Sequence, residues 1–121
     1  MAVQTGIDIV KVSRVRDAVR KSGKRFLNRI FTPREIQICN QKASKYLSFA
    51  ARFAAKEAFF KALQGKPSLE FKEVEIKTDR TGQPSISLAS KVKKRLKLSS
   101  KKIALSLAHE KEFAIAIVII S

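Results

Sequence analysis

Hydrophobic and polar positions follow two rhythms along this chain, and the rhythm changes near the middle. From Ser13 to Gln64 apolar residues recur at three- and four-residue steps, whereas from Val74 onward they recur at every second position. These are the periods of helices and of strands. One strand precedes the helices: Val3 to Val10 is rich in β-branched residues around Gly6, and its lone acid, Asp8, faces away from Ile7 and Ile9. Ser13 is placed to cap a helix with Val15 and Val19 inward, and Ser22-Gly23 to end it. Lys24 to Phe31 is a basic-aromatic segment with Phe26, Leu27, Ile30 and Phe31 as its buried members. Thr32-Pro33-Arg34-Glu35 predicts a helix to about Gln41, with Thr as cap, Pro in the first turn and Glu closing a capping box. The longest helix starts at Ser44 and stops near Gln64-Gly65-Lys66-Pro67.

In the second half, Val74, Ile76 and Thr78 alternate with charged residues as a half-exposed strand. Asp79 to Pro84 is a turn, and Ser85 to Leu88 a short strand. Ser90 opens a brief helix with Val92 and Leu96 inward and five basic residues outward. Ile103, Leu105 and Leu107 alternate with small residues, and Phe113 to Ile120 is a closing apolar strand. Helices early and an antiparallel sheet late predict an α+β fold, N-terminal helices packed on the sheet. At 121 residues, with no linker or repeat, residues 1–121 read as a single domain with one core.

Composition narrows the possibilities. No apolar run approaches the roughly 20 residues of a membrane span, and the amino terminus lacks a secretory pattern. The single cysteine, Cys39, excludes an internal disulfide and a cysteine-cluster metal site, and is expected to be a small core residue. A cytoplasmic protein is the expectation. The net charge of +16 favours anionic partners: nucleic acid, phosphorylated cofactors or an acidic protein.

The stretch Arg52 to Leu63 carries the candidate chemistry. At about 100° per residue, Phe60, Phe53, Glu57 and Lys61 share one arc of about 100°. An acid among aromatics and alanines must be paired, protonated or metal-bound, because an unpaired buried charge is very costly. The plain alternative is a surface Glu57–Lys61 pair at i, i+4, worth a few tenths of a kcal/mol. Arg52 and Lys56 fall beside the aromatic stripe, where solvated helix surface is the simplest expectation.

Several segments together resemble the holo-acyl-carrier-protein synthase family, the short class of 4′-phosphopantetheinyl transferases. They are Gly6-Ile-Asp-Ile9, Phe31-Thr-Pro-Arg-Glu35, Arg52-Phe-Ala-Ala-Lys-Glu57 through Lys61, Asp79 to Pro84, and Ser106-Leu-Ala-His109, in the family's order across essentially the whole chain. The resemblance implies transfer of 4′-phosphopantetheine from coenzyme A to a serine of apo acyl carrier protein, in support of fatty acid biosynthesis. It makes Asp8 and Glu57 the Mg²⁺ ligands and puts Lys61 at the reacting phosphate. Which of Glu57, Lys61 or a metal-bound water takes the serine proton stays open. It sets Arg52, Gly82, Pro84, Ser106 and His109 against coenzyme A, and gives Arg14, Arg20, Arg25 and Phe26 to the acidic carrier protein. It further implies a homotrimer with active sites between subunits, for which the apolar closing strand offers surface.

Three departures touch the cofactor side. The loop Gln64 to Ser68 is short and poor in glycine, Gln83 stands where lysine is common, and Ala108 stands where a hydroxyl residue is common. A basic nucleic-acid-binding protein would account for the lysines of residues 91 to 102, but leaves Asp8, Glu57 and the Arg52 to Leu63 pattern unexplained. The expectation is therefore an enzyme with no nucleic-acid or membrane partner.

Overall fold

The computed structural model describes residues 2–65 and 68–121. A first strand, β1 (Gln4–Lys11), leads into α1 (Val12–Ser22), α2 (Lys24–Ile30), α3 (Pro33–Asn40) and the long α4 (Lys45–Ala62). A 3₁₀ turn at Phe71–Glu73 precedes the hairpin β2 (Glu75–Thr78) and β3 (Pro84–Ser87). Then come α5 (Ser90–Arg95), β4 (Ile103–His109) and β5 (Phe113–Ile120). The α+β expectation holds, and one continuous apolar core joins helices and sheet.

Local chemistry explains most boundaries. Thr32 accepts from the Glu35 amide while the Glu35 carboxylate accepts from the Thr32 amide, so the capping box forms as the spacing predicts. Gly23, at φ 50°, ends α1 by donating to the Val19 carbonyl at 2.7 Å. The expected Ser13 cap is not formed, and Ser44, expected to start the long helix, makes no cap bond either. α1 begins one residue before Ser13, after Lys11. In both cases tertiary packing starts the helix without help from a hydroxyl. The Lys66–Pro67 part of the expected helix stop lies outside the described residues.

The main sheet is antiparallel in the order β1-β5-β4, with β2-β3 as a separate two-stranded sheet. Strand β5 sits in the middle and has two unlike faces. Ala114, Ala116, Val118 and Ile120 are buried, while Ile115, Ile117 and Ile119 are exposed. The closing strand was expected to offer surface for subunit packing, but its Val118 and Ile120 belong to the core. Pairing of Ile7 with Ile117 and of Ile9 with Ile115 extends the exposed isoleucine face onto β1. Helix α4 covers the inner face and is buried nearly all round, which blurs its amphipathic signal. Its Ala54, Ala55, Ala58 and Ala62 meet a sheet face with Gly6, Ala114 and Ala116, so small residues on both sides allow close approach.

Candidate active site

Asp8 is the inward member of β1, with only 13% of its side chain exposed against 60% for Ile7 and 59% for Ile9. Gly6, two residues earlier, brings it against α4. A Cβ at Gly6 would stand 1.9 Å from the Ala58 carbonyl oxygen and 2.6 Å from the Ala62 nitrogen, so no larger residue fits without separating strand from helix. Across this contact Lys61 Nζ donates to Asp8 Oδ1 at 3.0 Å and to the Ile7 carbonyl at 3.1 Å. Lys61 is thus paired with a different element, and the i, i+4 bridge to Glu57 is not among the ion pairs of the described residues. Half-buried Glu57 has its carboxyl pKa raised, first by burial and then by the Asp8 charge, with Lys61 pulling the other way. Two carboxylates close enough to oppose each other's ionisation make a site that a cation relieves.

This pair opens on a cleft of about 350 Å³ whose walls include Asp8, Lys11, Arg14, Phe26, Phe53 and Glu57. Among the described residues no group of three or more His, Cys, Asp and Glu side chains gathers to hold a metal. That suits Mg²⁺, which uses one or two carboxylates and completes its shell with substrate phosphate and water; it does not suit a structural zinc. Arg14 lines the cleft with no carboxylate partner among the described ion pairs. Phe26 is half-buried, stacked edge-on against Phe31 and Phe53. Lys11 and Phe53 were not expected at the site. Phe53 was findable, one turn before Glu57 on the same helical arc, whereas Lys11 had no signal beyond its charge.

The remaining candidates stand elsewhere. Arg20 lies over the Tyr46 ring at 6.0 Å, and Arg25 is exposed on α2. Arg52 and Lys56 are not solvated helix surface, and both are buried. Arg52 Nη1 donates to Ser48 Oγ at 2.7 Å while its Nε has no partner, and it lies about 140° round α4 from Glu57. Lys56 pairs with Glu35 in the interior. Gly82, at φ 87°, belongs to an exposed turn in which Asp79 Oδ1 accepts from the amides of Thr81 and Gln83, and Pro84, expected in that turn, is instead the half-buried first residue of β3, paired with Thr78. Ser106 is exposed beside Ile117 on the outer sheet face, and His109 is exposed at the end of β4. None of Arg52, Gly82, Pro84, Ser106 and His109 lines the cleft.

Asp8 and Glu57, with Lys61 bonded to Asp8 and with Lys11 and Arg14 on the cleft wall, are a donor set that suits a phosphate-bearing ligand. Residues 4–118 match the model of the 4′-phosphopantetheinyl transferase superfamily, and the chain belongs to that family. It is 45% identical over 116 residues to the holo-[acyl-carrier-protein] synthase of Halothermothrix orenii, covering 94% of this chain and 93% of that one. Among solved structures, the Helicobacter pylori holo-[acyl-carrier-protein] synthase in complex with coenzyme A superposes with a TM-score of 0.85 at 34% identity, over 97% of this chain and 99% of that one. The Neisseria meningitidis enzyme of the same name gives 0.87 at 30% identity, over 98% and 97%.

Proposed function

We propose that this chain transfers the 4′-phosphopantetheine group from coenzyme A to a serine of apo acyl carrier protein, leaving holo carrier and adenosine 3′,5′-bisphosphate, and so serves fatty acid biosynthesis in the cytoplasm. The observation that carries this is that Asp8 and Glu57 line one cleft with Arg14 and Phe26, while Lys61 reaches Asp8 with its ammonium. Asp8 and Glu57 would hold Mg²⁺, which when bound neutralises charge on the diphosphate. Lys61 presents a fixed cation to the reacting phosphate, where negative charge develops. Its bond to Asp8 keeps that ammonium oriented before substrate arrives. Arg14, with Arg20 and Arg25 further along α1 and α2, offers positive charge to an acidic carrier surface, and Phe26 an apolar contact beside it.

The nucleotide half of coenzyme A is assigned to Arg52, Gly82, Pro84, Ser106 and His109. Ser106 stands on the exposed sheet face with Ile7, Ile9, Ile115, Ile117 and Ile119, while His109, exposed at the end of β4, is in register with inward-facing Ala114. Exposed isoleucines across two neighbouring strands mark an association surface. A homotrimer packed through this face places Ser106 at a subunit boundary, which favours a site shared between copies.

The test is incubation of the chain with coenzyme A, Mg²⁺ and apo acyl carrier protein, followed by intact mass spectrometry of the carrier. One added phosphopantetheine, abolished by chelation and restored by Mg²⁺, is the expected result. No transfer by a folded preparation, together with salt-sensitive nucleic-acid binding, overturns it.

A further inference from the structure

A second polar cluster lies outside the cleft, and the proposed chemistry leaves it unused. Lys56 precedes Glu57 on α4, yet its side chain is wholly buried. Its ammonium donates to Glu35 Oε1 at 2.7 Å, to the Ile30 carbonyl at 2.8 Å and to the Phe71 carbonyl at 3.1 Å, matching its three protons. Glu35 also accepts from the Thr32 amide at 2.9 Å and from the Ile76 amide at 2.7 Å. Thr32 Oγ1 then donates to Glu75 Oε2 at 2.8 Å. One lysine thereby ties α4 to the end of α2, the start of α3, the 3₁₀ turn and, through Glu35, strand β2.

Such a pair contributes little net stability, because desolvating both charges offsets their attraction. Burial lowers the Lys56 pKa even though Glu35 opposes the change. What the network does supply is register. The β2-β3 hairpin belongs to a sheet separate from β1-β5-β4, and Glu35 and Thr32 connect it by side-chain hydrogen bonds to the helical half. That hairpin carries the Asp79 to Gln83 turn, while α4 carries Glu57 and Lys61.

We propose that Glu35 and Lys56 are positioning residues, which hold the hairpin turn at a set distance from Glu57 and Lys61 so that one frame grips both the nucleotide and the diphosphate of coenzyme A. This rests on the assignment of the turn to the nucleotide made above.

The experiment measures kcat, the KM for coenzyme A, the KM for apo carrier protein and the melting midpoint of the full chain. Glu35→Gln/Lys56→Met removes both charges together, so it leaves no buried ion unpaired and is expected to fold. Its KM for coenzyme A should rise about tenfold or more with the carrier KM unchanged. A merely structural role would reduce active enzyme and leave both KM values alone, and that result in the folded double variant overturns the proposal. Thr32→Val, a milder cut in the same network, should raise the KM for coenzyme A about fivefold, the size of one hydrogen bond, with Thr32→Ser restoring it. Equal values for the Val and Ser variants overturn the proposal even if the double variant does not fold. Gly82→Ala strains the turn itself. If it leaves the KM for coenzyme A untouched, the turn does not meet the nucleotide and both readings fall; if it raises that KM while the network variants do not, only the coupling falls.

Discussion

Glu57 stands where three influences meet: partial burial, the Asp8 charge and the Lys61 ammonium. The first two prevail, so the carboxyl binds its proton more tightly in the folded chain than its ordinary value of 4.5. The sign of the pH dependence follows. Above the folded pKa the ionised group costs stability; the cost fades as pH falls, and below 4.5 the carboxyl is protonated in both folded and unfolded chains. Without metal, Glu57→Gln should therefore melt higher than the parent at neutral pH, with the gain vanishing in acid. Thermal scans across pH check this, and a variant that melts lower at neutral pH sinks it. The same substitution should cut Mg²⁺-dependent turnover by about a hundredfold or more. Added Mg²⁺ should raise the melting midpoint of the parent and not of the variant, because only a ligand held by the folded chain stabilises it.

At the scale of elements, the site depends on how closely β1 lies on α4, and that closeness depends on Gly6. Gly6→Ala drives a methyl into the Ala58 carbonyl. Overpacking of this kind costs about 1–3 kcal/mol, and withdrawal of β1 carries Asp8 away from Lys61. Turnover should drop by about a hundredfold, since an ångström of misplacement is enough; stability by denaturant and steady-state kinetics check both. This element pairing shows where sequence patterning suffices and where it does not. The Thr32–Glu35 box, the closing strand and the alternation that isolates Asp8 were legible, because each is set by local spacing. The helical arc singled out Glu57 and Lys61, but a wheel knows nothing of other elements, so the Lys61–Asp8 bridge was invisible. Lys56 was misjudged for the same reason. Its partner Glu35 is 21 residues away, and nothing along α4 marks which of its lysines is enclosed.

For the molecule as a whole, the proposed assembly rests on the outer sheet face. Replacing Ile117, at the centre of that face, with Lys should abolish self-association by burying a charge where apolar surface is expected to meet its copy. Sedimentation should then show a monomer with native secondary structure, and turnover should fall with the oligomer because Ser106 loses its neighbouring subunit. An oligomer that survives the change disproves packing through this face. Strand β1 meanwhile serves two surfaces by simple alternation, its even positions turned to α4 and its odd ones to solvent or another subunit. Inserting or deleting one residue midway along it would trade the two sets. The acid would pass to the outer face and an isoleucine would press on the helix, so catalysis and assembly would fail in a single step. Point substitutions can tune either surface alone; a change of length can spare neither.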